Sequence, residues 1–484
     1  MGKIMALILS VAIILSGESV LAGKKDYNIS RIGGKNRYET SINIAKNYSN
    51  KKLKNVIITS GNNFPDALSG TMLLNKLKAP ILLVNKNVRD SRETTNFIIN
   101  NLTEEGCIYI LGEKDIVDET FEYYFKHMGF KNIKRLGGEN RFATNKSIVK
   151  FLNVEKKTPL FITNGFGFAD ALSLSFIAAK KGYPVIISNK EKLPNEAIDI
   201  LEDIKPSKIF LVGGEAVIGD SIIDELTNFL PYLNREDITR ISGENRYDTC
   251  LNICEEFGVS RDTAIITNGN DFPDALSVSA LSVKTNAPVI LINDNYILNQ
   301  KEYLDNNNYK NLILIGGAAS INTESQRVLE NKPVISDKDV KRLIFNCDEI
   351  LKNIFKIEVN SKDYINIKGI SYAPLKENLN KYNSIYKYLD NNFKLKNYYT
   401  DDFINNMISY IFKNIDGKYY IRYGNPTPRI NIKDAKIEGK KYEGSKLYIS
   451  LRGYYLDSLD EWSLKITLIY NGKGWIVSKY NNWF

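Results

Sequence analysis

The sequence predicts an α/β protein built from three homologous parallel-sheet modules packed with pseudo-threefold symmetry, followed by a smaller α+β domain. Three observations predict it. Four blocks of residues recur in one order three times, short fully apolar strands alternate with helical segments, and the aromatic content changes abruptly after Pro333. At 484 residues the chain is too long for one ordinary domain.

The repeat comes first because a missed repeat misreads the whole fold. Arg31-Ile-Gly-Gly-Lys-Asn-Arg37-Tyr-Glu-Thr40 returns as Arg135-Leu-Gly-Gly-Glu-Asn-Arg141-Phe-Ala-Thr144 and as Arg240-Ile-Ser-Gly-Glu-Asn-Arg246-Tyr-Asp-Thr249. A second block holds Phe64-Pro-Asp66-Ala-Leu, Phe168-Ala-Asp170-Ala-Leu and Phe272-Pro-Asp274-Ala-Leu. The third is a proline followed by Ile81-Leu82-Leu83, Val185-Ile186-Ile187 or Val289-Ile290-Leu291. Each unit closes on an apolar strand running into glycine, ending at Gly112, Gly214 and Gly317. The resulting boundaries are 29–128, 133–232 and 238–336, with the α+β domain at 340–484.

Within the first unit, residues 37–48 read as a helix with apolar spacing near three and four. Residues 55–59 are an unbroken apolar run, the signature of a strand buried on both faces. Residues 65–77 read as a helix with proline in its first turn, where the missing N–H costs nothing. Residues 80–84 form a second apolar strand, 94–102 a helix and 107–111 a third strand. Strands alternating with helices imply a parallel sheet covered on both sides.

In the C-terminal part lie all three tryptophans and, beyond residue 360, 17 of the 29 tyrosines. Helical patterns at 339–355, 375–389 and 401–412 precede strands at 429–437, 446–455 and 462–470. Asn471-Gly-Lys-Gly474 then turns into a last strand at 475–480. Helices followed by an antiparallel meander suggest a cystatin-like or nuclear-transport-factor-like shape.

Residues 1–22 read as a signal peptide: Lys3, an apolar run from Ile4 to Ser16, and small residues at Val20 and Ala22, with cleavage expected after Ala22. No later segment is apolar enough for a transmembrane helix. The formal charge of +9 favours anionic partners in general. Cys107, Cys250, Cys254 and Cys347 have no metal-knuckle spacing, and the single histidine, His127, cannot build a zinc site, so no metal or cofactor is expected.

Asn36, Asn140 and Asn245 stand where a helix N-cap is wanted. The arginines that follow them, Arg37, Arg141 and Arg246, admit two readings: an anion site beside the free N–H groups of a helix start, or ion pairs to acids of their own or a neighbouring repeat. Asp66, Asp170 and Asp274 fall in a first helical turn, where a carboxylate complements the helix dipole and would repel phosphate. With neither a Walker lysine nor a dinucleotide fingerprint, a nucleotide site is not indicated. These aspartates read as structural, not catalytic.

On these motifs the chain from Ile29 to about Ser336 resembles three tandem clostridial cell-wall-binding repeats of type 2. That family anchors surface-layer-associated proteins, without covalent attachment, to an anionic secondary wall polymer. The resemblance implies a secreted protein of the Gram-positive cell wall or S-layer, with anchoring tied to the Ile81-Leu82-Leu83 block and its counterparts. Val185-Ile186-Ile187 and Val289-Ile290-Leu291 depart from the family pattern conservatively. Tyr398-Tyr-Thr-Asp-Asp-Phe403, Asn414-Ile-Asp-Gly-Lys-Tyr419 and the Gly-x-Trp-Ile-Val ending at Val477 are similar to secreted inhibitors of peptidoglycan DL-endopeptidases.

Together these imply a binding and display protein and not an enzyme. Its partners would be the polymer, with surface-layer proteins or peptidoglycan hydrolases as further candidates, and not nucleic acid. The alternatives are a regulator of endopeptidases or a wall hydrolase, for which Asp401, Asp402 and Glu461 are available carboxylates.

Overall fold

The computed structural model describes residues 26–271, 273–377, 379–423, 430–456 and 460–481; the expected signal peptide lies outside them. Two compact units emerge, one up to Lys332 and one from Pro333.

The first unit holds three four-stranded sheets, every strand pair parallel. In the first sheet the order is Ile81–Val84, Leu53–Ser60, Leu102–Leu111, Asn132–Leu136. The second runs Val185–Ser188, Leu160–Asn164, Ile209–Val212, Ile238–Ile241. The third runs Val289–Ile292, Thr263–Asn268, Asn311–Ile315, Asn28–Ile32. The repeat as written and the sheet as folded are therefore out of phase by one strand. The strand that opens repeat two completes the first sheet, and the strand that opens repeat three completes the second. The strand that opens repeat one crosses the whole unit to pair with the third, Asn28 against Asn311 and Ile32 against Ile315.

Helix contacts close in the same cyclic way. Each opening helix, Arg37–Tyr48, Arg141–Leu152 or Arg246–Glu256, packs on the central helix of the preceding repeat, and repeat one packs on repeat three. The central helical segments (65–77, Ala169–Lys181 and 273–285) pack on one another. One apolar cluster runs through them, joining Leu73, Leu172, Phe176, Leu276 and Leu281. This cyclic equivalence is the pseudo-threefold arrangement. Separate clusters fill the outer faces of the first and third sheets.

The opening helices start where the asparagines predict. Asn36 Oδ1 accepts from the Glu39 amide at 2.9 Å, Asn140 from Phe142 and Ala143, and Asn245 from Tyr247 and Asp248. The central helix expected over 65–77 is broken. It runs Pro65–Gly70, tightens to a 3-10 turn at Thr71–Leu73 and resumes at Leu74–Leu77. Gly70 is a weak helix former, and the Thr71 hydroxyl bonds back to the Leu68 carbonyl at 2.7 Å. In repeat two, Leu174 follows the serine and the helix Ala169–Lys181 is continuous.

The second unit contains two antiparallel four-stranded sheets. One is the meander Lys436–Glu443, Lys446–Tyr454, Glu461–Tyr470, Trp475–Asn481. The other, in the order Ile365–Ile367, Ile370–Pro374, Lys418–Arg422, Phe412–Ile415, was not anticipated. The helix expected over 375–389 is corrected to Ile385–Phe393. Leu375 instead continues an extended segment, its amide bonded to the Tyr419 carbonyl at 3.0 Å. Asn383 turns left-handed at φ 61°, and Ser384 caps the helix. The strand expected over 429–437 is shifted to Lys436–Glu443. Arg429 lies outside the described residues, and Asn431 and Asp434 bond to each other in a turn before the strand. The core takes in Trp462, Trp475, Tyr399 and Tyr480; Tyr364, Tyr423 and Tyr454 are exposed.

Candidate functional site

Each module brings its arginine to the carboxyl ends of its strands, the usual ligand side of an open parallel sheet. Arg37 Nη1 donates to the Gly61 carbonyl at 2.6 Å, Arg141 to Gly165 at 2.6 Å, and Arg246 to Gly269 at 2.7 Å. Neither sequence reading foresaw this partner, a carbonyl of the same repeat. The glycine follows the neighbour of the strand that the opening helix packs against, so one bond ties the helix to a second strand end. Arg246 is exposed, Arg37 and Arg141 half-buried.

The surroundings differ among the copies. In repeat one the Tyr38 hydroxyl donates to Asn85. In repeat three the Tyr247 hydroxyl donates to Asn270 and accepts from Asn293, both at 2.7 Å, and its ring stacks on Tyr296 at 4.7 Å. Repeat two has no such hydroxyl: Phe142 meets Phe166 edge-on at 6.1 Å, and Arg141 lies 4.4 Å from the centre of the Phe166 ring. Phe166 itself is 60% exposed. Arg246 lies 5.2 Å from the ring of Phe168, contributed by repeat two, and Phe168 meets Phe64 of repeat one at 6.1 Å.

The aspartates face inward. Asp66 is buried, and an added Cβ on Gly112 would stand 2.7 Å from its Oδ2; Gly213 stands in the same relation to Asp170 at 2.9 Å, and Gly316 to Asp274 at 2.5 Å. Those glycines hold φ of 101°, 119° and 103°, which explains why each closing strand runs into glycine. Burial pushes the carboxyls of Asp66 and Asp170 up to about 6. A hydrogen bond from Thr144 and the charge of Arg141 oppose the rise at Asp66, and the charge of Arg246 opposes it at Asp170. Aspartate and arginine thus feel one another across repeat boundaries.

All nine residues of the Ile-Leu-Leu block and its counterparts are buried in strands. The residues that sequence reasoning aligned without assigning a role are Arg31, Arg135 and Arg240. Each belongs to the strand that enters the preceding sheet and clamps its closing glycine. Arg31 donates to the Gly316 carbonyl at 2.8 Å, Arg135 to Gly112 at 2.7 Å, and Arg240 to Gly213 at 2.7 Å. Arg135 also makes a fork to Glu122, both bonds at 2.7 Å.

In the C-terminal unit, burial pushes the Cys347 thiol up to about 12, so it is no ready nucleophile. Asp401 and Asp402 sit in the first turn of a helix capped by Thr400, and Asp401 accepts from the Tyr386 hydroxyl. Glu461 stands on a strand of the meander and pairs with Arg452. Among the described residues no cluster of His, Cys, Asp and Glu could hold a metal ion, and no helix is long and apolar enough to cross a membrane.

This architecture, a closed ring of three α/β modules followed by an α+β unit, defines a modular binding protein. By its residues 31–122, 135–223 and 240–326 the chain belongs to the family described as Cell wall binding domain 2 (CWB2). Residues 331–482 match the family described as IseA DL-endopeptidase inhibitor. The chain is 30% identical over 314 residues to N-acetylmuramoyl-L-alanine amidase LytC of Bacillus subtilis, covering 64% of this chain and 60% of that one. It is 26% identical to the Amidase enhancer of the same organism, covering 71% of this chain and 46% of that one. The chain thus spans less than two thirds of the length of either relative. Among solved structures, Cwp8 from Clostridium difficile superposes with a TM-score of 0.54 at 25% identity, covering 63% of this chain and 52% of that one. Cwp6 gives 0.53 at 22%, covering 60% and 46%. The protein is cell-surface or wall-associated, and its repeats are cell-wall-binding domains.

Proposed function

We propose that the three-module ring anchors the protein to an anionic secondary polymer of the wall and that the C-terminal unit restrains a peptidoglycan endopeptidase. The observation that carries the first half is the threefold recurrence of one arginine, fixed by one carbonyl, at the carboxyl ends of the strands of a single closed ring. A polymer with repeating charges meets several equivalent weak contacts at once, and each raises the effective concentration for the next. The Ile-Leu-Leu block supports anchoring from inside, by setting the shape of each module, since its side chains do not reach the surface. Export, S-layer association and a non-catalytic role belong to the same reading. The second half is supported by the match of residues 331–482 to endopeptidase inhibitors.

The test uses the two halves, 23–336 and 340–484, with purified walls. The ring should sediment with intact walls, leave them in high salt, and stay in solution with walls stripped of anionic polymer. Retention on stripped walls would defeat the polymer reading. The C-terminal half should slow digestion of walls by a DL-endopeptidase, and unchanged digestion would defeat the inhibitor reading. A cleared zone at the protein's own band in a peptidoglycan gel would show a hydrolase instead.

A further inference from the structure

The three seams of the ring are topologically equivalent but not equally filled. Where repeat one meets repeat two, Tyr109 of the closing strand packs against Phe151 of the next opening helix at 5.7 Å, with Lys134 4.2 Å from the Phe151 ring. Where repeat two meets repeat three, Phe210 packs against Phe257 at 5.0 Å. Strand register puts Ile313 where those seams have Tyr109 and Phe210: the three pair with Ile265, Ile57 and Phe161, which are 104 residues apart. Asn47 stands 11 residues after the cap Asn36, as Phe151 does after Asn140, and Tyr48 stands 12 after it, as Phe257 does after Asn245. The frame of the seam is retained: Lys76 Nζ donates to the Phe151 carbonyl and Lys284 Nζ, its counterpart, to the Asn47 carbonyl, each at 3.1 Å.

The closing seam, between repeats three and one, therefore keeps one ring, Tyr48 with Lys284 5.8 Å from its centre, and lacks the strand aromatic that the other two seams have. A groove of about 460 Å³ opens there, within the range of roughly 300–1,000 Å³ usual for small-ligand sites. Its floor is Ile32, Leu281 and Ile313, and its polar lining includes Ser30, Asn43 and Lys46. No carboxylate lines it. Lys46 is exposed. Its counterpart in repeat two, Lys150, faces Asp203 at 4.0 Å, and in repeat three the position holds Glu255. Apolar floor, amide and hydroxyl lining, one ammonium and the guanidinium of Arg31, itself bonded to the Gly316 and Gly317 carbonyls, suit the face, hydroxyls and acidic group of an anionic sugar.

We propose that this groove at the closing seam is a subsite for one acidic glycosyl unit of the wall polymer, with Lys46 on its charge. This rests on the anchoring function proposed above and makes the ring asymmetric: the seam closed by the first strand binds sugar, and the two seams with paired rings hold the ring together.

The full chain is titrated against intact walls and against walls stripped with hydrofluoric acid, with released polymer as competitor and neutral dextran as control. The variants are Asn47→Phe with Ile313→Phe, which places a helix ring as in the first seam and a strand ring as in the second, and separately Lys46→Glu. Filling the groove should weaken wall binding at least tenfold with the thermal transition retained. Lys46→Glu should weaken it comparably and flatten its salt dependence. A folded double variant that binds as wild type overturns the subsite. Should the double variant not fold, Lys46→Glu decides, and unchanged affinity and salt slope overturn the proposal. Failure of the wild type itself to prefer intact over stripped walls would sink the anchoring reading instead.

Discussion

At the scale of single residues, Asp66 shows how a motif residue can be structural and still leave a functional trace. Its carboxyl is raised to about 6 from an ordinary 3.8, so between these values the folded state holds a proton that the unfolded chain has lost. Stability from this group is fully present below pH 4 and falls as the pH rises through 6. A displacement of about two units corresponds to about 3 kcal/mol as an upper value. Asp66→Asn keeps the shape without the charge. Its transition temperature minus that of the wild type should rise between pH 4.5 and pH 7, read by thermal melts at both. A constant difference would mean that Asp66 is ionised in the folded protein. Gly112, whose backbone touches this carboxylate at φ 101°, should tolerate alanine poorly. Left-handed strain and the clash together cost about 2 kcal/mol or more, measurable by urea denaturation. The sequence showed glycine after every closing strand, but nothing in it showed that the aspartate 46 residues earlier was the reason.

At the scale of elements, the strands that open the repeats hold the ring through arginine. Arg135 bonds one carbonyl of the preceding sheet and both oxygens of Glu122, with 14% and 19% of the two side chains exposed. Arg135→Ala leaves a half-buried carboxylate and carbonyl without a donor, a loss of about 2–3 kcal/mol. Arg135→Lys should recover little of it, because an ammonium cannot make the planar fork. Chemical denaturation of both variants tests this, and a lysine variant as stable as wild type would reduce the clamp to simple charge. Helix starts were legible here because an asparagine cap is a local signal. The break in the first central helix at Thr71 and the replacement of an expected helix by an extended segment at Leu375 were not. In the second case a strand partner 44 residues away outweighed helical spacing.

At the scale of the molecule, closure depends on the segment from Tyr27 to Ile32. Lys301 is 1% exposed and pairs with Asp305 at 2.8 Å, while the Tyr27 hydroxyl donates to the same carboxylate. Asp305→Asn strands a buried ammonium, and breaking one half of such a pair costs about 3–5 kcal/mol. Because every tryptophan lies beyond residue 460, intrinsic tryptophan fluorescence reports the C-terminal unit. The variant should lower the unfolding midpoint of the main circular-dichroism transition and leave the fluorescence midpoint in place. A joint shift would show that the two units unfold as one.

By itself the sequence determined the number of modules, the parallel strands at their cores, the caps of the opening helices and the change of architecture after Pro333. Each is written locally, in residues a few positions apart or in a motif repeated whole. Tertiary structure alone decided that every opening strand enters the preceding sheet, that the arginines beside the caps are held by glycine carbonyls, and that a groove opens at one seam. Those outcomes depend on groups brought together across tens to hundreds of residues, where packing selects the partner and no periodicity records it.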